Sequence, residues 1–466
     1  MGFFDKIKQG LTKTRQAMSS SLGGLFGGGD SGTTATNTTT TNNTSTTSQT
    51  SGVGSLLSGG LSSLLGGGGS STGGLTDLLG GSWFSDVSGI GSTSTSPAYT
   101  SANSAGANYT ALNRNVAAGS RAKYTKLLGN GKDTMTILVY MCGADLESKS
   151  AMATKDLQEM LAAKFGSSIN LVVYTGGCAS WRNNTISSQV NQIWQVVDGG
   201  LKCLVKDAGT GAMTNYETLA SFIQYGAQNF KTSRYALILW DHGSGSVAGY
   251  GYDERNPRAG SMSLAGLNSA FKKGGLKFDF IGFDTCLMAT LDTANALDGY
   301  ARYLVASEEL MPSSGTDYAG WLGALAQKPV MDGRELGTII CERYLHYCKQ
   351  NEADDIATLS LLDMSKVSKL NTAYEAWGRE ALQAANANPR MFYTAYDRLA
   401  NGVENYGQNY GPFYLQNDEI PWTNMLDLGA LAQKMTFLKS AAAFNEALKD
   451  AIVCRVYGPY RQHGTG

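Results

Sequence analysis

Tyr235-Ala-Leu-Ile-Leu-Trp240 runs into Asp241-His242-Gly243-Ser244-Gly245, and Phe278-Asp-Phe-Ile-Gly-Phe283 runs into Asp284-Thr285-Cys286-Leu287-Met288. Each apolar run is short enough for a buried strand and stops at one reactive side chain. If the two are neighbouring parallel strands, His242 and Cys286 leave the carboxyl edge of the sheet side by side, where open α/β folds carry their chemistry. A thiol beside an imidazole is a nucleophile with its proton acceptor. A helix is expected from 287 to 299, directly after Cys286, and its N-terminal dipole would favour a thiolate.

Working outward, further apolar runs at 135–141, 169–175, 192–197 and 303–307 alternate with helical patterns at 146–165, 214–230, 264–274 and 287–300. That rhythm predicts an α/β fold with a mainly parallel sheet covered on both faces. After 307 helical patterns dominate, near 332–350, 364–386, 390–402, 424–435 and 439–450, with strands at 356–362 and 451–456 as additions. The expected division is an α/β core at 121–310 and a mostly helical C-terminal subdomain at 311–466.

The N-terminal part reads differently. Residues 1–20 set Phe3, Phe4, Ile7, Leu11 and Met18 at helical spacing among Lys6, Lys8, Lys13 and Arg15; these four cations against Asp5 give a net charge of +3. Such a basic amphipathic helix suits peripheral contact with an anionic membrane. Gly2-Phe-Phe-Asp-Lys-Ile-Lys-Gln-Gly-Leu-Thr-Lys-Thr-Arg15 also resembles the lipid-binding helix that opens the targeting domain of the bacterial signal-recognition-particle receptor. From 21 to 120 the chain is Gly, Ser, Thr, Asn and Leu with few charges, a composition expected to stay disordered as a linker.

Composition excludes several functions. A formal net charge of -1 gives no field that would draw nucleic acid. Seven scattered cysteines argue against a disulfide framework, and three histidines without ligand spacing argue against a transition-metal centre. No leader with a sustained apolar core is visible, so the expected location is cytoplasmic, with membrane association through residues 1–20 and an extracellular site left open. No Gly-x-Ser-x-Gly elbow follows a strand, and Gly129-Asn-Gly-Lys132 lacks the spacing of a phosphate loop.

Asp241-His242-Gly243-Ser244-Gly245 and Gly282-Phe-Asp-Thr-Cys286-Leu-Met288 resemble the two active-site signatures of the clostripain family of cysteine peptidases. Ile137-Leu-Val-Tyr-Met-Cys-Gly-Ala-Asp-Leu-Glu147, Gly249-Tyr-Gly-Tyr-Asp-Glu254 and Ala306-Ser-Glu-Glu309 are similar to that family too, in the correct order. Thr285 departs from the Ala the family often has. The resemblance implies a caspase-like three-layer sandwich, a Cys/His dyad and cleavage of protein or peptide substrates after Arg or Lys. It aligns Cys286 with the nucleophile and His242 with the family histidine, and it makes the backbone N–H groups of Gly243 and Cys286 the oxyanion donors.

On the same resemblance Asp284 matches the acidic specificity residue, whose carboxylate suits a guanidinium, and Asp317 is a second candidate for that pocket. Internal maturation is a family habit. Arg258, before Ala259, is the preferred cleavage position here, and Arg255 is the alternative. The dyad requires no cofactor; calcium dependence is implied by the resemblance alone, with no EF-hand loop and with Asp253 and Glu254 as candidate ligands. The rival reading from another class is a non-catalytic, membrane-tethered scaffold whose peptidase-like domain binds basic segments without cutting them.

Overall fold

The computed structural model describes residues 127–407 and 425–466; the expected helix at 1–20 and linker at 21–120 lie outside them. In chain order the principal elements are β1 (Met135–Cys142), α1 (Ala144–Ser150), α2 (Met152–Ala162), β2 (Ile169–Gly176), β3 (Gln192–Val197), β4 (Gly200–Val205), α3 (Tyr216–Asn229) and β5 (Arg234–Trp240). There follow α4 (Leu264–Gly274), β6 (Phe278–Asp284), α5 (Leu291–Leu297), β7 (Ala301–Ala306), α6 (Tyr318–Gln327), α7 (Gly333–Gln350) and β8 (Thr358–Asp363). The last are α8 (Val367–Ala387), α9 (Pro389–Ala400), α10 (Leu428–Lys434), α11 (Ser440–Ala451) and β9 (Ile452–Tyr457).

Among the described residues these nine strands form one sheet in the order β9-β8-β7-β6-β5-β1-β2-β3-β4, and two short strands, Asn405–Tyr406 and Met425–Leu426, pair separately. The central five, β2-β1-β5-β6-β7, are parallel, and antiparallel pairs finish both flanks. Parallel central strands must be apolar on both faces, and β1 is buried at every position. Its Ile137, Val139 and Met141 face a core with Leu157, Trp321 and Ile340, from α2, α6 and α7. Leu138 and Tyr140 face the opposite core, with Phe222, Phe271 and Leu297 from α3, α4 and α5. A third cluster, including Trp377, Leu431 and Phe444, joins α8, α10 and α11.

The helical part does not stand apart from the strands. Strands β8 and β9 extend the central sheet, and α7 packs into its core, so the boundary expected at 310 falls within one sheet. Two elements escaped the sequence reading. Edge strand β4 carries half-exposed residues and pairs through a tight Asp198-Gly199 connection, and α6 is almost evenly apolar, which hides its face. Among the described residues no helix is long and apolar enough to cross a membrane.

Candidate active site

Three adjacent parallel strands deliver three side chains to one edge: Asp145 follows β1, His242 follows β5 and Cys286 follows β6. Trp240 pairs in register with Asp284, so His242 and Cys286 each stand two residues beyond a matched pair on strands about 4.8 Å apart. The two loops touch through their backbones. A Cβ on Gly243 would sit 2.1 Å from the carbonyl oxygen of Cys286, a contact that only glycine permits.

His242 is held from two sides. Its Nε2 lies 2.7 Å from Asp145 Oδ1, and its backbone N–H donates to Asp241 Oδ1 at 2.6 Å. An Nε2–H donated to Asp145 leaves the lone pair on Nδ1, the tautomer a base needs. Burial draws the imidazole pKa down, but the Asp145 bond and the charge of Asp241 outweigh it and the net shift is upward. Asp145 moves the other way: burial opposes ionisation, yet the bonds to His242 and Lys149 hold its carboxyl well below the usual range. Sequence reading missed Asp145, which lies 97 residues from His242.

Cys286 is partly exposed and occupies a turn, not a helix N-terminus. Helix α5 starts only at Leu291, capped by Thr290, whose Oγ1 accepts the Thr293 N–H at 3.0 Å. The expected dipole therefore does not act on the sulfur. Burial pushes the thiol up to about 11, although the Met311 N–H donates to Sγ at 3.2 Å and favours the thiolate. Leu287, the next residue, has φ 64, a left-handed conformation rare for a branched side chain. Among the described residues, the N–H groups of Gly243 and Cys286 have no backbone acceptor.

Beneath the nucleophile lie two buried carboxylates, Asp284 and Asp156, and a half-buried one, Glu159. Asp284 ends β6 and accepts the Thr316 N–H and Oγ1–H at 3.3 and 3.0 Å. Asp156 on α2 accepts the Trp240 indole N–H at 2.6 Å, and Glu159, one turn on, accepts the Tyr347 hydroxyl at 2.7 Å. A methyl group on Gly315 would lie 3.1 and 3.2 Å from the Asp284 oxygens and 3.4 Å from Asp156 Oδ2, so the two carboxylates converge on one small space. None of the three acids has a Lys or Arg partner among the described residues. Burial raises all three, Glu159 to about 7, and the charge of Asp284 adds to the shift of both helix acids. Asp156 and Glu159 were not anticipated; their i,i+3 spacing at the start of the first crossover was the available signal.

Asp317, expected in this pocket, is committed elsewhere. It forms an ion pair with Arg343, whose Nε lies 2.7 Å away, and it caps α6 by accepting the Gly320 N–H at 2.7 Å. The two candidate cleavage residues also differ. Arg255 is fastened to Asn191 Oδ1, whereas Arg258 is exposed in the short turn Pro257–Ala259. Asp253 accepts from Met213, Arg255 and Asn256, and Glu254 from Ser148 and Ala179, so both are spent on protein donors. Among the described residues no group of three acidic, His or Cys side chains could hold a metal ion, and these residues do not fit a calcium site.

A model of the clostripain family matches residues 139–458. Several solved structures share the fold. One is a secreted C11 cysteine protease from Bacteroides thetaiotaomicron in complex with an irreversible peptide inhibitor: 19% identity over 71% of this chain and 88% of that one, TM-score 0.51. An inactive zymogen C11 protease from Parabacteroides distasonis has 19% identity over 70% and 85%, TM-score 0.51. A secreted C11 cysteine protease from Bacteroides thetaiotaomicron called iotapain has 15% identity over 72% and 92%, TM-score 0.51. No curated protein matches.

Proposed function

Because this chain belongs to the clostripain family, we propose that it is a cysteine endopeptidase that cuts after Arg or Lys, with Cys286 as nucleophile and His242 as its base. The observation that carries this reading is the Asp145–His242 pair beside Cys286, on three neighbouring strand ends. A thiol near 11 is not ionised at rest, so attack depends on proton transfer to an oriented imidazole.

The Cys286 proton passes to His242 as the sulfur adds to the scissile carbonyl carbon. The resulting oxyanion takes the N–H groups of Gly243 and Cys286, two donors without a backbone acceptor among the described residues. Collapse breaks the C–N bond, and the imidazolium protonates the departing amine. Water then adds to the thioester, giving a proton to His242, and expulsion of the thiolate releases the acid. Asp145 keeps the imidazole oriented and stabilises its charged form.

Basic specificity rests on Asp284 with Asp156 beside it. Two buried acids without a counter-ion are costly, and a substrate guanidinium or ammonium would supply the missing charge. Exposed Arg258 is the position for self-processing.

The test uses full-length protein and fluorogenic peptide amides ending in Arg, Lys or Leu. Arg and Lys reporters are expected to be hydrolysed, Cys286→Ala to be inert, and Asp145→Asn to lose roughly 10²–10⁴-fold in kcat, as loss of an orienting acid does elsewhere. A folded wild-type chain inert toward all three reporters, with and without calcium, would leave the binding-only scaffold as the better reading.

A further inference from the structure

Behind the nucleophile a buried polar chain runs from the C-terminal segment to the sulfur. Arg461, in the turn Pro459–Arg461 after β9, is buried and forms an ion pair with Glu309, which is wholly buried. Glu309 Oε1 accepts the Leu310 N–H at 2.7 Å and the Gly407 N–H at 2.8 Å. The first of these bonds fixes the Leu310 peptide, and the next N–H along the chain, that of Met311, donates to Cys286 Sγ.

The backbone of Glu309 is tied just as fully. Its N–H donates to Thr358 Oγ1 at 3.1 Å and Ser307 Oγ at 3.2 Å, and its carbonyl accepts the Leu287 N–H at 3.1 Å. The Ala289 N–H donates to the Ser307 carbonyl at 2.8 Å, so the turns 285–289 and 307–311 are laced together. Leu287 is the left-handed residue after the nucleophile, and such a conformation persists only where its surroundings over-determine it. The bond to the Glu309 carbonyl is one of those constraints.

We propose that Glu309 is a positioning residue for Cys286: its carboxylate, paired with Arg461, locks the 307–311 turn that aims an N–H at the sulfur and holds the backbone behind it. An ordinary buried ion pair would only glue β9 to the sheet, and an apolar replacement would serve as well. Here the acid has two opposed effects on the nucleophile. Through the Met311 N–H it favours the thiolate, and through its own charge it opposes it.

Those effects separate in two variants. Glu309→Gln keeps an acceptor for Leu310 and Gly407 but removes the charge; Glu309→Ala removes both. The readout is the rate of iodoacetamide labelling at Cys286 in full-length protein, followed by peptide mass spectrometry across pH, with folded fraction measured alongside. Glu309→Gln should speed labelling at a fixed pH below the thiol's midpoint, and Glu309→Ala should slow it, each by about threefold or more, because the N–H donor outweighs the more distant charge. Equal labelling in all three proteins, or both variants shifting the same way, overturns the proposal and leaves a structural strut. Labelling needs no turnover, so this test stands apart from the peptidase reading; if that reading is right, kcat per titrated site falls in Glu309→Ala with KM little changed.

Discussion

Buried acids surround Cys286 on two sides, and the two groups are built on opposite plans. Behind the sulfur, Glu308 and Glu309 pair with Arg455 and Arg461. Beneath it, Asp156 and Asp284 converge on one small space, Glu159 lies one turn along the same helix as Asp156, and none of the three has a Lys or Arg partner among the described residues, while Asp317 is matched by Arg343. Elsewhere in the core Arg234 and Arg302 answer Asp279 and Asp363 in the same way. Asp156 and Asp284 differ from these pairs in facing one small space without a Lys or Arg partner among the described residues, which on the proposed reading is where a substrate cation binds.

The largest effect should come from breaking a pair. Arg343→Met strands Asp317 and should cost about 3–5 kcal/mol of stability, read from chemical denaturation, because an orphaned buried charge remains. A loss below about 1 kcal/mol would mean the paired acids are not held as charges. Removing an unpaired acid should act on substrate instead. Asp284→Asn should lower kcat/KM for an Arg reporter by about a hundredfold or more, leave a neutral reporter unaffected and leave the melting temperature undiminished.

Asp156→Asn sharpens the contrast on a smaller scale, since an amide still accepts the Trp240 N–H. KM for the Arg reporter should rise about tenfold with kcat held, as for one charge-assisted contact, while the melting temperature rises by about 2 °C as an unpaired charge is removed. The smallest effect is in pH. Glu159 is raised to about 7, so below that pH it holds a proton that an incoming cation must displace. The Ki of a guanidinium inhibitor should fall by up to about tenfold per unit as pH rises toward 7 and then level off. A flat profile would detach Glu159 from the pocket.

Much of this was legible along the chain. His242 and Cys286 announced themselves because apolar runs stop at them, and a parallel sheet turns such stops into neighbours. Asp145 carried no such mark: it shares the edge only because β5 returns beside β1, a pairing that local pattern does not encode. Asp317 misled for the converse reason, since an acid in a loop looks free until the arginine of a later helix, 26 residues on, is folded against it. The helix expected at Cys286 was drawn four residues early because Leu287-Met-Ala has helical composition, whereas the left-handed Leu287 and the Thr290 cap delay it to Leu291.

The most direct test of the central claim is a digest of a diverse peptide library by the full-length protein, with every new terminus read by mass spectrometry beside a Cys286→Ala control. The account predicts cuts that follow Arg or Lys and vanish in the control. Cuts without a basic residue before them, or basic-site cuts that persist without the Cys286 sulfur, would contradict it.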